Sequence, residues 1–106
     1  MLNIEDFQKA ELRVAEILEA KEHPNADRLF VLKVHDGVSE RQVVAGIRSS
    51  YSPEELVGKK VVILANLEPA TIRGVESQGM LLAASSDQGP VLISPEKNVP
   101  NGSKIK

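Results

Sequence analysis

The chain has 106 residues, 13 of them Lys or Arg and 15 Asp or Glu, for a formal net charge of −2. That length suits one domain, and the charge excludes a simple polyelectrolyte partner of nucleic acid, so any nucleic-acid site must be local, with its basic residues gathered on one face. Cysteine is absent, which removes disulfides and thiolate chemistry, and no apolar run approaches the ~20 residues that span a bilayer.

The start, Met1-Leu-Asn-Ile-Glu-Asp6, has neither the basic nor the long apolar region of a signal peptide, so a soluble, cytoplasmic protein is expected. Asn3 is positioned to cap a short helix, with Glu5 and Asp6 in its first turn. Residues 12–20 read as a first strand. Leu12 and Val14 alternate with Arg13, and the alternation then slips through Ala15, Ile17 and Leu18. Such a slip signals a bulge, although a helical period through Leu12, Ala15, Glu16 and Glu19 competes. Pro24 breaks the segment 22–27, with Asn25 and Asp27 as turn formers. Residues 29–35 are a second strand, Asp36-Gly37 a hairpin turn, and residues 41–45 a third strand.

Ser52-Pro53-Glu54-Glu55 is a helix start, with a capping box between Ser52 and Glu55 and Pro53 at the first helical position. Gly58 stops it. Residues 60–65 are apolar without alternation, as in a strand covered on both faces. A long polar loop, residues 66–79, follows. It carries Asn66, Glu68, Pro69, Thr71, Arg73, Glu76, Ser77 and Gln78, with Gly74 and Gly79. Loops longer than ~12 residues without their own secondary structure are uncommon and often functional. Residues 80–84 give a fifth strand, 85–89 a turn and 91–93 a short strand. The tail, 94–106, holds Pro95, Pro100 and Gly102 and reads as irregular.

The expected fold is all-β with short helices: a five-stranded OB-fold barrel with a C-terminal extension, occupying residues 1–106. In that barrel the ligand face uses strands two and three and the loops joining strands one–two and four–five. The two unusual loops of this chain, 23–28 and 66–79, are those two.

No catalytic constellation is present, and no cofactor or metal is expected. His23 and Asp27 are four apart, but Pro24 denies them a shared helical face, and Asp27 is more readily a turn former than a metal or proton-transfer partner. His35 borders the hairpin turn and is expected to be exposed. Arg13, Arg28, Lys33, Arg41, Arg48 and Arg73 fall on the expected ligand side, most of them as solvated barrel faces. Arg73 differs, because it shares the long loop with Ser77 and Gln78. Guanidinium, hydroxyl and amide groups together suit phosphates and 2′-hydroxyls. Phe30 and Tyr51 are the only aromatics available for base stacking, since Phe7 belongs to the first helix. Phe30 reads as core, so recognition of folded RNA by backbone and shape fits better than stacking.

Several segments carry a resemblance. His23-Pro-Asn-Ala-Asp-Arg-Leu29, Pro53-Glu-Glu-Leu-Val-Gly-Lys-Lys60, Asn66-Leu-Glu-Pro69 and Arg73-Gly-Val-Glu-Ser-Gln-Gly-Met-Leu-Leu-Ala83 resemble the tRNA-binding domain. That family includes the C-terminal module of many methionyl-tRNA synthetases and free-standing tRNA-binding proteins. The resemblance implies an OB-fold that binds the outside of the L-shaped tRNA without reading the anticodon, usually as a homodimer. By motif, Asn66, Arg73, Ser77 and Met80 fall where the family lines its tRNA pocket, with Arg28 and Lys33 nearby. Many members carry a basic residue where this chain has Ala70-Thr71-Ile72, which bears on affinity. The implied roles are a free-standing tRNA binder or a module working with a methionyl-tRNA synthetase catalytic region. The alternative is a protein-interaction module of the kind formed by the related export chaperone.

Overall fold

The computed structural model describes the whole chain, Met1–Lys106. Asn3 caps the first helix as its side chain suggests: Oδ1 accepts from Asp6 N at 2.8 Å. That helix, α1 (Ile4–Gln8), is little more than one turn and buries none of its residues.

Residues 12 onward form a strand, β1 (Leu12–Glu22), so the helical alternative fails. Both its edges find partners. Glu16 to Glu22 pair with β2 (Phe30–His35), while Leu12 to Glu16 pair with β4 (Lys60–Leu64). The register shifts between Ile17 and Glu19, where the alternation slips. β1 runs two residues past its expected end because Lys21 and Glu22 still oppose Val31 and Phe30. β3 (Glu40–Ala45) pairs with β2 across the loop 36–39, as the hairpin signal Asp36-Gly37 implies, and starts one residue earlier than expected. The helix α2 (Pro53–Leu56) starts as its capping box predicts, with Glu55 Oε2 accepting from Ser52 N and Oγ, each at 2.9 Å.

The main sheet has the order β3-β2-β1-β4-β7, with β7 being Met80–Leu81. It curls into the OB barrel. Ala15, Ile17, Phe30, Leu32, Val34, Val43, Val61 and Ile63 fill its interior, and Leu56 of α2 joins the same cluster, fully buried. β4 is covered on both faces, as its unbroken apolar run implies. Val61 and Ile63 enter the core, and Val62, opposite Val14 of β1, is 5% exposed outside it.

Three expectations need correction. The segment 66–79 is not a structureless loop: β5 (Ala70–Ile72) and β6 (Val75–Ser77) form a hairpin. The single strand expected over 80–84 is divided. β7 pairs with β4, while β8 (Ala83–Ser86) leaves to pair with β9 (Gly89–Leu92). Finally, the tail is not irregular throughout. Val14 N donates to Ser103 O at 2.9 Å, Gly102 N to Val14 O at 2.6 Å and Ile105 N to Leu12 O at 3.0 Å. These bonds occupy the edge of β1 that β2 leaves free.

Candidate nucleic-acid interface

The site is built around the β5–β6 hairpin. Arg73 and Gly74 turn the chain between its strands, and both have positive φ, 53° and 89°. That pairing is what a type I′ turn demands, and it twists with the strands it joins. Gly74 adopts it freely, but Arg73 does so at a cost of roughly 1–2 kcal/mol.

The hairpin is fastened at its tip and at its base. At the tip it meets the loop that follows β1. His23, 3% exposed, places Nε2 2.9 Å from Ile72 O and Nδ1 2.9 Å from Asn25 N. Asn25 Nδ2 donates to Arg73 O at 3.2 Å, and Arg73 Nη2 returns a bond to Asn25 O at 3.3 Å. Arg48 holds that loop from behind, donating to Ala26 O at 3.2 Å and to Glu22 Oε2 at 2.6 Å.

At the base, Ser77 and Gln78 close the barrel against β3. Ser77 Oγ accepts from Val44 N and donates to Gly79 O, each at 3.0 Å. Gln78 N donates to Gln42 O at 2.7 Å, and Gln78 Oε1 accepts from Gln42 N at 3.1 Å. Gln42 Nε2 reaches Glu76 O at 2.8 Å. Arg41 braces the same seam. Its Nε donates to Asp36 Oδ2 and its Nη1 to Ala65 O, each at 2.5 Å. Burial alone would push the Asp36 carboxyl up, but the N–H groups of Ser39 and Val38 and the Arg41 guanidinium outweigh it and hold the group below the ordinary carboxylate range.

Between hairpin and sheet lies a groove of about 320 Å³ lined by Lys21, Pro24, Val31, Gln42, Gly74, Val75 and Glu76. It shares Lys21, Val31 and Gln42 with a second hollow that adds Glu19 and Lys33. Register explains the lining. Glu19 faces Lys33, Lys21 faces Val31 and Lys33 faces Gln42 across the strands, so these side chains share the outer face. The Lys33 ammonium makes only loose surface contacts, 3.6 Å to Glu19 and 3.8 Å to Glu40.

The residues singled out from sequence separate into two groups. Arg28, Lys33, Arg73, Gln78 and Met80 are exposed. Arg28 lies on the loop after β1, where its carbonyl accepts from Arg48 N at 3.4 Å. Ser77 is 4% exposed, with its hydroxyl fully engaged by the backbone. Asn66 is also committed: Oδ1 accepts from Glu11 N at 2.8 Å and Nδ2 donates to Lys9 O at 2.7 Å, tying the end of β4 to the end of α1. Arg41 and Arg48 serve as braces, and Arg13 donates to Gly102 O of the tail at 3.4 Å. His23 and Asp27 share no hydrogen bond, and His35 is half-buried, with Nδ1 accepting from Gly37 N. Phe30 is 1% exposed, and Tyr51 packs on the core with its hydroxyl accepting from Leu92 N at 3.0 Å. Sequence reasoning missed Lys21 and Gln42 in the groove. Continuing the β1 alternation through Glu22 would have found Lys21.

The family model described as "Putative tRNA binding domain" matches residues 12–104, almost the whole barrel and its tail. The chain belongs to the tRNA-binding domain family. Within that family it is 51% identical over 105 residues to the methionine–tRNA ligase of Pyrococcus horikoshii, covering 99% of this chain but only 14% of that protein. Among solved structures, a MetRS-related protein from Pyrococcus horikoshii superposes with a TM-score of 0.92 at 36% identity, covering 100% of this chain and 98% of the other. The chaperone CsaA of Bacillus anthracis strain Ames superposes with a TM-score of 0.90 at 31% identity, covering 100% and 99%. The tRNA-binding domain thus spans about a seventh of the ligase it matches.

Proposed function

We propose that this domain binds folded tRNA through backbone geometry, without reading base sequence, as a two-fold dimer working with a methionyl-tRNA synthetase catalytic region. One observation carries the reading. Lys21 and Lys33 line adjoining hollows beside a hairpin that is fixed at both ends and turns at Arg73. Groups held at fixed spacing suit a fixed phosphate and 2′-hydroxyl geometry. Stacking contributes little, because Phe30 is buried and Tyr51 is hydrogen-bonded inward. The dimer reading is supported by the N-terminal segment, where Leu2 ahead of α1 and Ile4 and Phe7 within it are 78%, 66% and 36% exposed, and a two-fold contact is the commonest way to cover such a face.

The test is competition at one stated salt concentration: labelled tRNA challenged with unlabelled tRNA, single-stranded DNA and duplex RNA. tRNA should compete best. With about 3–5 phosphate contacts, log K should fall against log salt with a slope of about −2 to −4. Equal competition by single-stranded DNA would defeat shape recognition. The likeness to the CsaA chaperone favours one second reading, a protein-interaction module, which failure to retain bulk tRNA at low salt would support. Sedimentation showing a monomer at micromolar concentration would remove the dimer.

A further inference from the structure

The two histidines of this chain make the same local contact. His23 Nδ1 lies 2.9 Å from Asn25 N, and His35 Nδ1 lies 3.0 Å from Gly37 N. Only His23 also uses its second nitrogen, with Nε2 2.9 Å from Ile72 O on the hairpin. A backbone N–H can only donate and a carbonyl can only accept. Nδ1 must therefore be bare and Nε2 must carry the proton. Both bonds exist together only in the neutral Nε2–H tautomer. A proton on Nδ1 would set two N–H groups against each other at 2.9 Å, around a ring that is 3% exposed.

We propose that His23 is a positioning residue for RNA binding, whose neutral imidazole clamps the β5–β6 hairpin to the loop after β1 and so holds Arg73 at the groove. The inference rests on the RNA-binding reading above. Ile72, which receives the Nε2 proton, immediately precedes Arg73, and Asn25, held by Nδ1, makes both further bonds to Arg73. One ring therefore fixes both sides of the junction. The charged groups on the segments around it are Lys21, Glu22, Asp27 and Arg28 on its own stretch, Arg73 and Glu76 on the hairpin, and Arg48 behind the loop. None hydrogen-bonds the imidazole, and Glu22 is taken by Arg48.

The experiment uses the full chain and bulk tRNA at pH 7.5, with His23→Asn, His23→Gln and His35→Asn. Asn keeps an acceptor for Asn25 N but is too short for Ile72, so His23→Asn should bind about three- to tenfold more weakly than wild type, the worth of one intramolecular hydrogen bond, whereas His35→Asn should bind as wild type does. Gln can reach Ile72 O and should recover part of the affinity. His23→Asn as tight as wild type overturns the proposal. Two readouts need no RNA. Nitrogen NMR at pH 7.5 should show His23 protonated on Nε2, and hydrogen exchange at Arg73, Gly74 and Val75 should accelerate in His23→Asn. An Nδ1–H tautomer, or unchanged exchange, defeats the clamp even if no protein here retains tRNA, an outcome that would separately sink the RNA reading.

Discussion

Gly37 and Gly102 meet backbone to backbone. A Cβ on Gly37 would sit 2.5 Å from Asn101 O and 2.8 Å from Gly102 Cα, and one on Gly102 would sit 2.8 Å from Asp36 O. Both residues also have positive φ, 94° and 88°. The loop after β2 and the tail therefore interlock where no side chain fits. Gly102→Ala should lose about 1–3 kcal/mol through strain and overlap. Chemical denaturation measures the loss, and hydrogen exchange should quicken at Val14, whose N–H depends on Ser103 O. An unchanged midpoint would mean the tail docks some other way.

Arg73→Asn should separate stability from binding. Asn tolerates positive φ, and Asn-Gly is the favoured type I′ pair. The melting temperature should hold or rise, by up to about 1 kcal/mol of stability. tRNA affinity should fall by about 1.5–3 kcal/mol with the loss of a charge-assisted contact. Strain kept at a position that would fold better without it points to use. Affinity equal to wild type would take Arg73 out of the site.

Ser77→Ala should do the opposite. Its hydroxyl answers the buried Val44 N–H, and leaving that group unpaired costs about 1–3 kcal/mol. Measured well below the melting point, tRNA affinity should stay within about twofold of wild type, since the hydroxyl is spent on backbone. A large affinity loss with an intact melting curve would make Ser77 a ligand contact after all.

The Asp36–Arg41 pair predicts an acid-sensitive seam. The folded-state pKa of Asp36 lies below its ordinary value. Its contribution is therefore complete at neutral pH, starts to fade as pH drops through the ordinary carboxylate value near ~4, and is gone below the folded-state value. Asp36→Asn should be about 1–3 kcal/mol less stable at pH 7, because Arg41 and the Val38 and Ser39 N–H groups lose their carboxylate. Urea titrations should show that gap narrowing below pH 4. A gap independent of pH would assign the loss to packing.

What could be read from the chain was local. The slip at Ile17, the Ser52–Glu55 box and the two-sided apolar run of β4 each depend on neighbours within a few residues, and each appears where expected. The β5–β6 hairpin escaped notice because Arg73 occupies the position where Asn or Asp usually announces a type I′ turn. That Ser77 also braces the barrel was not legible, because its partner, Val44 N, lies 33 residues away. Arg48 looked free for the same reason, Glu22 lying 26 residues away, and so did Arg41 toward Ala65 O, 24 residues away, although its other partner, Asp36, is only five residues back. Arg73, Lys33 and Arg28, named from the sequence as candidate binding residues, are exposed in the fold.

The tail that runs beside β1 makes the first strand of the barrel wait for the last residues of the domain. Until Gly102, Ser103 and Ile105 arrive, Leu12 O and the N–H and O of Val14 stand open along one edge. While the domain emerges from a ribosome that edge stays unzipped until those residues appear, and unpaired edges are where strands from two copies find each other. Stalling translation just short of Gly102 should be more hazardous to this domain than losing residues 1–5, which pair with no strand.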